Sequence, residues 1–286
     1  MCTVVLSFQP SDPVPFLLLG VRDEFTDRPW RPPARHWAGS SLIGGIDEQA
    51  GGTWLAVHPE QSRVSCLLNG RGQQAATAGR HSRGELPLRA AAEGPEILKE
   101  LADDPGALAA YDPFHLLCAD IASALLLSWD GSAATFRDLA PGTHMLTNAG
   151  HSYPAAEPAS AEPGSTGPDS TGPDSTESSG ITEPKAAYFA PKFAAAARPP
   201  GDPGLPLAQA WGEWLVLADG DGLPPDDPRA IVAGRPHPNG RRWGSTSQTL
   251  VALGGPGLRY DFRALGARPA AGTAPPAPED WHEVRI

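Results

Sequence analysis

The chain has 286 residues, 40% of them apolar, enough to bury a sizeable core, and a formal net charge of −11. That charge repels phosphate backbones and the arginines are scattered rather than striped, which argues against nucleic acid as a partner. Three cysteines, Cys2, Cys66 and Cys118, are too few and too far apart for a disulfide framework or a CxxC pair, so a reducing, cytoplasmic location is expected.

In chain order, short apolar runs separated by turn residues predict strands over 3–8, 16–20, 53–58, 63–68, 114–120, 124–130, 135–139 and 144–148. The apolar run 14–20 is interrupted by Pro15 and followed at once by Arg22-Asp23-Glu24, so it predicts neither a signal peptide nor a membrane span. Residues 82–101 carry helix formers broken by Pro87 and Pro95. From about 154 to 183 Ser, Thr, Gly, Pro, Asp and Glu replace apolar residues, and the pentapeptide at 165–169 repeats at 170–174. Such a segment cannot bury enough apolar surface to offset its conformational entropy and is expected to be a disordered insertion in a single domain.

Helices are predicted over 185–197 and 205–217, and a closing hairpin over 248–253 and 258–262 through the turn at 254–257. Strands at both ends with helices between them predict an α+β fold of antiparallel sheets covered by helices, and not a doubly wound parallel sheet.

Chemistry begins at Cys2. A small residue in second place is the usual condition for removal of the initiator Met, and the freed chain would carry a thiol and an α-amine on one residue. With an ordinary pKa near 7.7 to 8.0, about a tenth of that amine is neutral at pH 7 and able to accept the thiol proton. The bland alternative is that Cys2 simply opens a buried first strand. The charged block Arg22-Asp23-Glu24-Phe25 ends the second apolar run, placing a cation and two carboxylates at one strand end; an ordinary solvated ion pair is the competing reading.

Several blocks follow one another along the chain: Met1-Cys2, Arg22-Asp23-Glu24-Phe25, Arg28-Pro29, Gly51-Gly52-Thr53-Trp54-Leu55, Leu67-Leu68-Asn69-Gly70-Arg71, Ser82-Arg83-Gly84, Phe114-His115-Leu116-Leu117 and Leu146-Thr147-Asn148-Ala149. In order and spacing they resemble the NRDE, or transport-and-Golgi-organisation, family, and the run 243–253 with Trp281 extends the likeness.

The resemblance implies a four-layer αββα sandwich of the N-terminal-nucleophile hydrolase type. It also implies a site of Cys2, Arg22, Asp23, Asn69 and Asn148. In that scheme Cys2 attacks an amide, ester or thioester carbonyl and its amine shuttles the proton. Asn69 would stabilise the oxyanion, Asp23 hold the α-ammonium, and Arg22 lower the thiol pKa. Two positions depart from the family pattern: Val21 replaces its leading Asn, and Gly244-Ser245-Thr246-Ser247 lacks a late Arg. No cofactor is required. The family's link with haem and lipid handling adds haem as a candidate bound ligand and leaves a second reading open, a non-catalytic carrier of haem or an acylated lipid. Either way the expected partner is a small amphipathic molecule; the oligomeric state is left open.

Other signals carry less. Asp219-Gly220-Asp221-Gly222 lacks the later ligands of a calcium loop, with Ala230 at its twelfth position, and the eight histidines show no metal-ligand spacing, so no metal is expected. Cys66 and Cys118 fall inside apolar runs and are expected to be packed core thiols. Trp30, Trp37, Trp54 and Trp243 are candidates for core or for the wall of a pocket.

Overall fold

The structure is a computed structural model that describes residues 2–152, 183–266 and 280–286. The insertion expected at about 154–183 lies almost wholly outside the described residues. One antiparallel sheet holds β1 (Thr3–Phe8), β2 (Phe16–Phe25), β10 (Gly142–Thr147), β11 (Gly150–Ser152), β12 (Gly234–Pro236), β13 (Arg242–Gly254), β14 (Gly257–Ala264) and β15 (His282–Glu283). Its order is β11-β10-β1-β2-β13-β14-β15, with β12 also pairing β13. The other sheet runs in sequence order through β3 (Trp30–Ala34), β4 (Ile43–Asp47), β5 (Leu55–His58), β6 (Arg63–Asn69), β7 (Phe114–Ala119), β8 (Ala124–Trp129) and β9 (Ala134–Asp138).

Each strand's two-residue period sorts its side chains between two cores. Val4, Leu6, Phe16 and Leu18 face Leu55, Val57, Val64 and Leu117 of the opposite sheet, filling the space between the sheets. The alternate residues Val5, Leu17, Leu19 and Val21 meet Phe189 and Phe193 of α4 (Pro184–Ala195), with Trp211 of α5 (Leu207–Trp211) and Trp214 of α6 (Glu213–Ala218). On the far side, Leu116, Cys118, Leu125 and Leu127 pack on α1 (Leu86–Glu93), α2 (Ile97–Ala102) and α3 (Pro105–Leu108). The layers therefore run α, β, β, α, the four-layer order that the resemblance implied. The central strands are nearly continuous apolar runs because both of their faces are covered. Cys66 and Cys118 are buried free thiols, and burial pushes the Cys118 thiol up to about 12.

Three departures from the sequence expectation have local causes. β2 does not stop at residue 20 but continues through Phe25, so the charged block lies within a strand instead of at its end. β3 and β4 were hidden by composition. The two prolines of β3 are tolerated because it is an edge strand, and β4 contains Gly45, where a Cβ would collide with the Trp54 ring. The helix expected over 205–217 is split at Gly212, whose φ of 48° breaks the helical path, and both halves place a tryptophan in the same core.

Candidate functional site

Strand register delivers the first residues of the site. Thr3 of β1 lies opposite Val21 of β2 on one side and Thr147 of β10 on the other. Cys2, one residue earlier, therefore falls between Arg22 and Asn148. Its nitrogen donates to Asn148 Oδ1 at 3.0 Å, and its Sγ lies 3.8 Å from the Asp23 carbonyl oxygen. Burial is the largest influence on the Cys2 thiol and pushes its pKa up; the Asp23 charge adds to this, while the Arg22 charge opposes it.

Because the charged block is a strand, Arg22 and Asp23 turn to opposite faces. Arg22 points between the sheets, where its guanidinium donates to Asp47 Oδ2 at 3.1 Å and Thr246 Oγ1 at 3.0 Å and covers the Trp54 ring at 4.5 Å. Arg28 closes the same network, its Nε 2.6 Å from Asp47 Oδ2. Burial works to raise the Asp47 carboxyl, but the Arg28 hydrogen bond, the Ala50 N–H and the two guanidinium charges together hold it below its ordinary value.

Asp23 turns towards the helical layer. Ser245 Oγ donates to its Oδ1 at 2.5 Å, and Lys185 Nζ of α4 lies 3.4 Å from its Oδ2 and 3.1 Å from Thr3 Oγ1. Lys185 is only 4% exposed, so this is a buried ion pair directly behind the first turn of β1.

The departing block 244–247 acquires a role here. A register shift between Ser245 and Ser247 inserts Thr246 as a bulge residue, and this sends Ser245 to Asp23 while Thr246 both accepts from Arg22 and donates to the Arg22 carbonyl oxygen at 3.2 Å.

The opposite sheet supplies the rest of the wall. Asn69 ends β6 at an exposed position, and no hydrogen bond of its side chain is made among the described residues. Gly70 N donates to the Pro113 carbonyl oxygen at 2.8 Å, and Arg83 donates to the same oxygen at 2.6 Å, so the strand end and the 82–84 turn share one anchor. That turn is drawn in by glycines: Thr53 N donates to the Gly84 carbonyl oxygen at 2.9 Å, and a Cβ on Gly52 would lie 2.6 Å from the Gly84 Cα.

Cys2, Arg22, Asp23, Asn69 and Arg83 thus line one cavity of about 350 Å³, with Trp54 and Leu67 as apolar wall. Behind Cys2 a second recess of about 20 Å³ is lined by Gly20, Leu55, Cys66 and Leu68. Of the five site residues expected from the sequence, four line the cavity, and Asn148 reaches Cys2 from the turn that follows β10 without being part of the wall.

Asp47, Lys185 and the functional placement of Arg83 were missed. Arg83 stood inside a recognised block, and pairing its Gly84 with Gly52 was the available signal; nothing local marks Lys185. Among the described residues no group of three or more His, Cys, Asp or Glu is arranged to hold a metal, and no helix is long and apolar enough to cross a membrane.

Among solved structures, the crystal structure of the C2A mutant of conjugated bile acid hydrolase from Clostridium perfringens is similar at 11% identity and a TM-score of 0.43, covering 92% of this chain and 89% of that one. No protein with a curated description matches the sequence. The family described as Transport and Golgi organisation 2, TANGO2, matches residues 1–160, which include Cys2, the charged block of β2, Asn69, the 82–84 turn and Asn148. With more than half its length so matched, the chain belongs to the TANGO2 family.

Proposed function

We propose that the protein is an N-terminal-nucleophile hydrolase cleaving an amide or thioester bond of a small amphipathic molecule, with Cys2 as nucleophile after removal of Met1. The observation that carries this reading is the position of Cys2, on the wall of an arginine-lined cavity with its nitrogen held by Asn148. Burial keeps the resting thiol protonated, so attack needs a base at the sulfur, and the freed α-amine is that base. As the thiol proton passes to the amine, Sγ bonds to the carbonyl carbon. The oxyanion is met by the Asn69 amide, a donor worth about 3 to 4 kcal/mol in comparable sites. The carbon–nitrogen bond then breaks, the ammonium returning its proton to the leaving amine. Water attacks the thioester left on Cys2, releases the acid and restores the thiol.

Arg22 is held by Asp47, Thr246 and Trp54 and is a fixed positive charge in the cavity that Cys2 lines, while Asp23, braced by Ser245 and Lys185, is a buried carboxylate on the same cavity. Intact-mass measurement, together with turnover of N-acyl amides and acyl thioesters by the wild type and Cys2→Ala, tests the reading. The expected result is a mature chain lacking Met1 and turnover lost in Cys2→Ala. Retention of Met1 sinks it, because an acylated nitrogen cannot accept the proton. Saturable haem or acyl-CoA binding that survives Cys2→Ala, without turnover by the wild type, would put the carrier reading in its place.

A further inference from the structure

The strand end that supplies Asn69 also carries His115. In register, Asn69 of β6 lies opposite Phe114 and Leu68 opposite His115, at the start of β7. Two and four residues later Leu117 and Ala119 pack between the sheets, so the two-residue period turns His115 into the same space. Its neighbour across to β8 is Ser128, and His115 Nδ1 lies 2.8 Å from Ser128 Oγ. On the first sheet stands the turn that holds Asn148. Thr147 pairs with Gly150, leaving Asn148 and Ala149 as a two-residue loop in which Ala149 N donates to Thr147 Oγ1 at 3.2 Å. The His115 ring lies against that loop, for a Cβ on Gly150 would be 3.8 Å from His115 Cε1. Burial is the larger influence on the ring and lowers its pKa, while the Asn148 backbone raises it, as a carbonyl that accepts from the ring does. With Nδ1 taken by Ser128, Nε2 is the nitrogen left for that carbonyl; it is buried and completes no hydrogen bond of ordinary geometry among the described residues. A neutral ring has one donor and one acceptor. Ser128 donating to Nδ1 leaves the proton on Nε2, facing the acceptor it needs, whereas the other tautomer would set a lone pair against the carbonyl.

We propose that His115 is a positioning residue for Cys2, its Nε2–H supporting the Asn148 carbonyl so that the Asn148 side chain stays on the Cys2 nitrogen. The role depends on Cys2 being the nucleophile of the proposed reaction. His115 is not part of the cavity wall, and it acts through Asn148, whose Oδ1 accepts from the Cys2 nitrogen at 3.0 Å. An amine with one N–H anchored has its lone pair restricted in direction, and only a lone pair turned towards Sγ accepts the thiol proton. Once that proton has moved, the ammonium donates to the same oxygen in a charge-assisted and therefore stronger bond. Both asparagines are thus referred to one end of the β6–β7 pair: Asn69 sits on it, and Asn148 is tied to it through His115.

Alkylation of Cys2 by iodoacetamide at neutral pH, followed by peptide mass on the full-length protein, reads how readily the thiol gives up its proton. His115→Phe, which keeps a ring and loses both nitrogens, and Asn148→Ala are each expected to slow Cys2 about tenfold, and the double variant to be slower than Asn148→Ala by no more than about twofold. His115→Gln, which restores an N–H donor, is expected to recover part of the rate. Cys66 and Cys118 staying unlabelled reports an intact core in each variant. Losses that multiply in the double variant, or a His115→Phe protein as reactive as the wild type, overturn the proposal. Nitrogen-15 NMR of histidine in the wild type needs no variant to fold: the proton is expected on Nε2 of His115, and a proton on Nδ1 overturns the proposal. Turnover enters neither measurement. Coupled alkylation and the Nε2–H tautomer in a protein that cleaves no amide or thioester keep the role of His115 while the hydrolase reading falls.

Discussion

At the scale of single residues, the site works through second partners as much as through the residues that face the cavity. Asp23 has a side chain with no exposure, and Lys185 approaches it from a helix 162 positions further along the chain. Removing one member of a buried pair leaves the other charge desolvated without that counter-charge, which typically costs about 3 to 5 kcal/mol. Lys185→Met is therefore expected to lower the unfolding free energy by about that amount in denaturant titration, and Asp23→Asn in the same background to recover part of it. A loss below about 1 kcal/mol for Lys185→Met would show that the pair does not brace the start of β1. Arg22 is secured differently, by stacking on Trp54 and by a hydroxyl at Thr246, so the polar block 244–247 holds one guanidinium where a second cation was expected.

At the scale of elements, the cavity exists because a turn and a strand end from one sheet are pinned beside the edge of β1 and β2. The contact that pins the turn is between two glycines, and its consequence can be measured. Gly52→Ala would force a Cβ against the Gly84 backbone, which cannot yield as a side chain can. The expected cost is about 1 to 3 kcal/mol, read as a lowered thermal midpoint. An unchanged midpoint would mean that the turn is free to move. The same reasoning explains why blocks distant in sequence, 51–55 and 82–84, belong together: each supplies half of one close approach.

At the scale of the whole molecule, stability carries a pH signature from the edge of the first sheet. His144 and His151 stack with ring centroids 5.1 Å apart and share a hydrogen bond of 2.9 Å. Burial first, then the neighbouring His144, Arg137 and His115 charges, bring His151 down to about 4, and burial lowers His144 as well, partly offset by the Ala140 carbonyl. The fold therefore favours neutral rings. Their contribution is complete above the ordinary histidine value near 6.5 and is lost as pH falls from there towards about 4. Unfolding free energy is expected to drop by about 2 to 3 kcal/mol across that window, and His151→Gln to flatten most of the slope. A wild-type profile that is flat between pH 6.5 and 4 would contradict this placement.

The sequence by itself determined the strands of both sheet centres, because a segment buried on two faces is written as a continuous apolar run that needs no partner to be recognised. It also marked Cys2, the charged block and the two asparagines; the register of β10, β1 and β2 carries Cys2, the block and Asn148 to one end of the first sheet, and Asn69 comes to the same cavity from β6 of the opposite sheet. Only the tertiary structure decided which way the charged block faces: β2 runs on past residue 20, and its two-residue period sends Arg22 to the space between the sheets and Asp23 to the helices. Nor could local pattern show that Lys185 would meet Asp23, that a bulge would turn Ser245 and Thr246 onto different partners, or that Gly52 and Gly84 would bring Arg83 to the cavity. Those contacts join elements far apart in sequence, and their chemistry lies in the docking of layers rather than in the periodicity of any one segment.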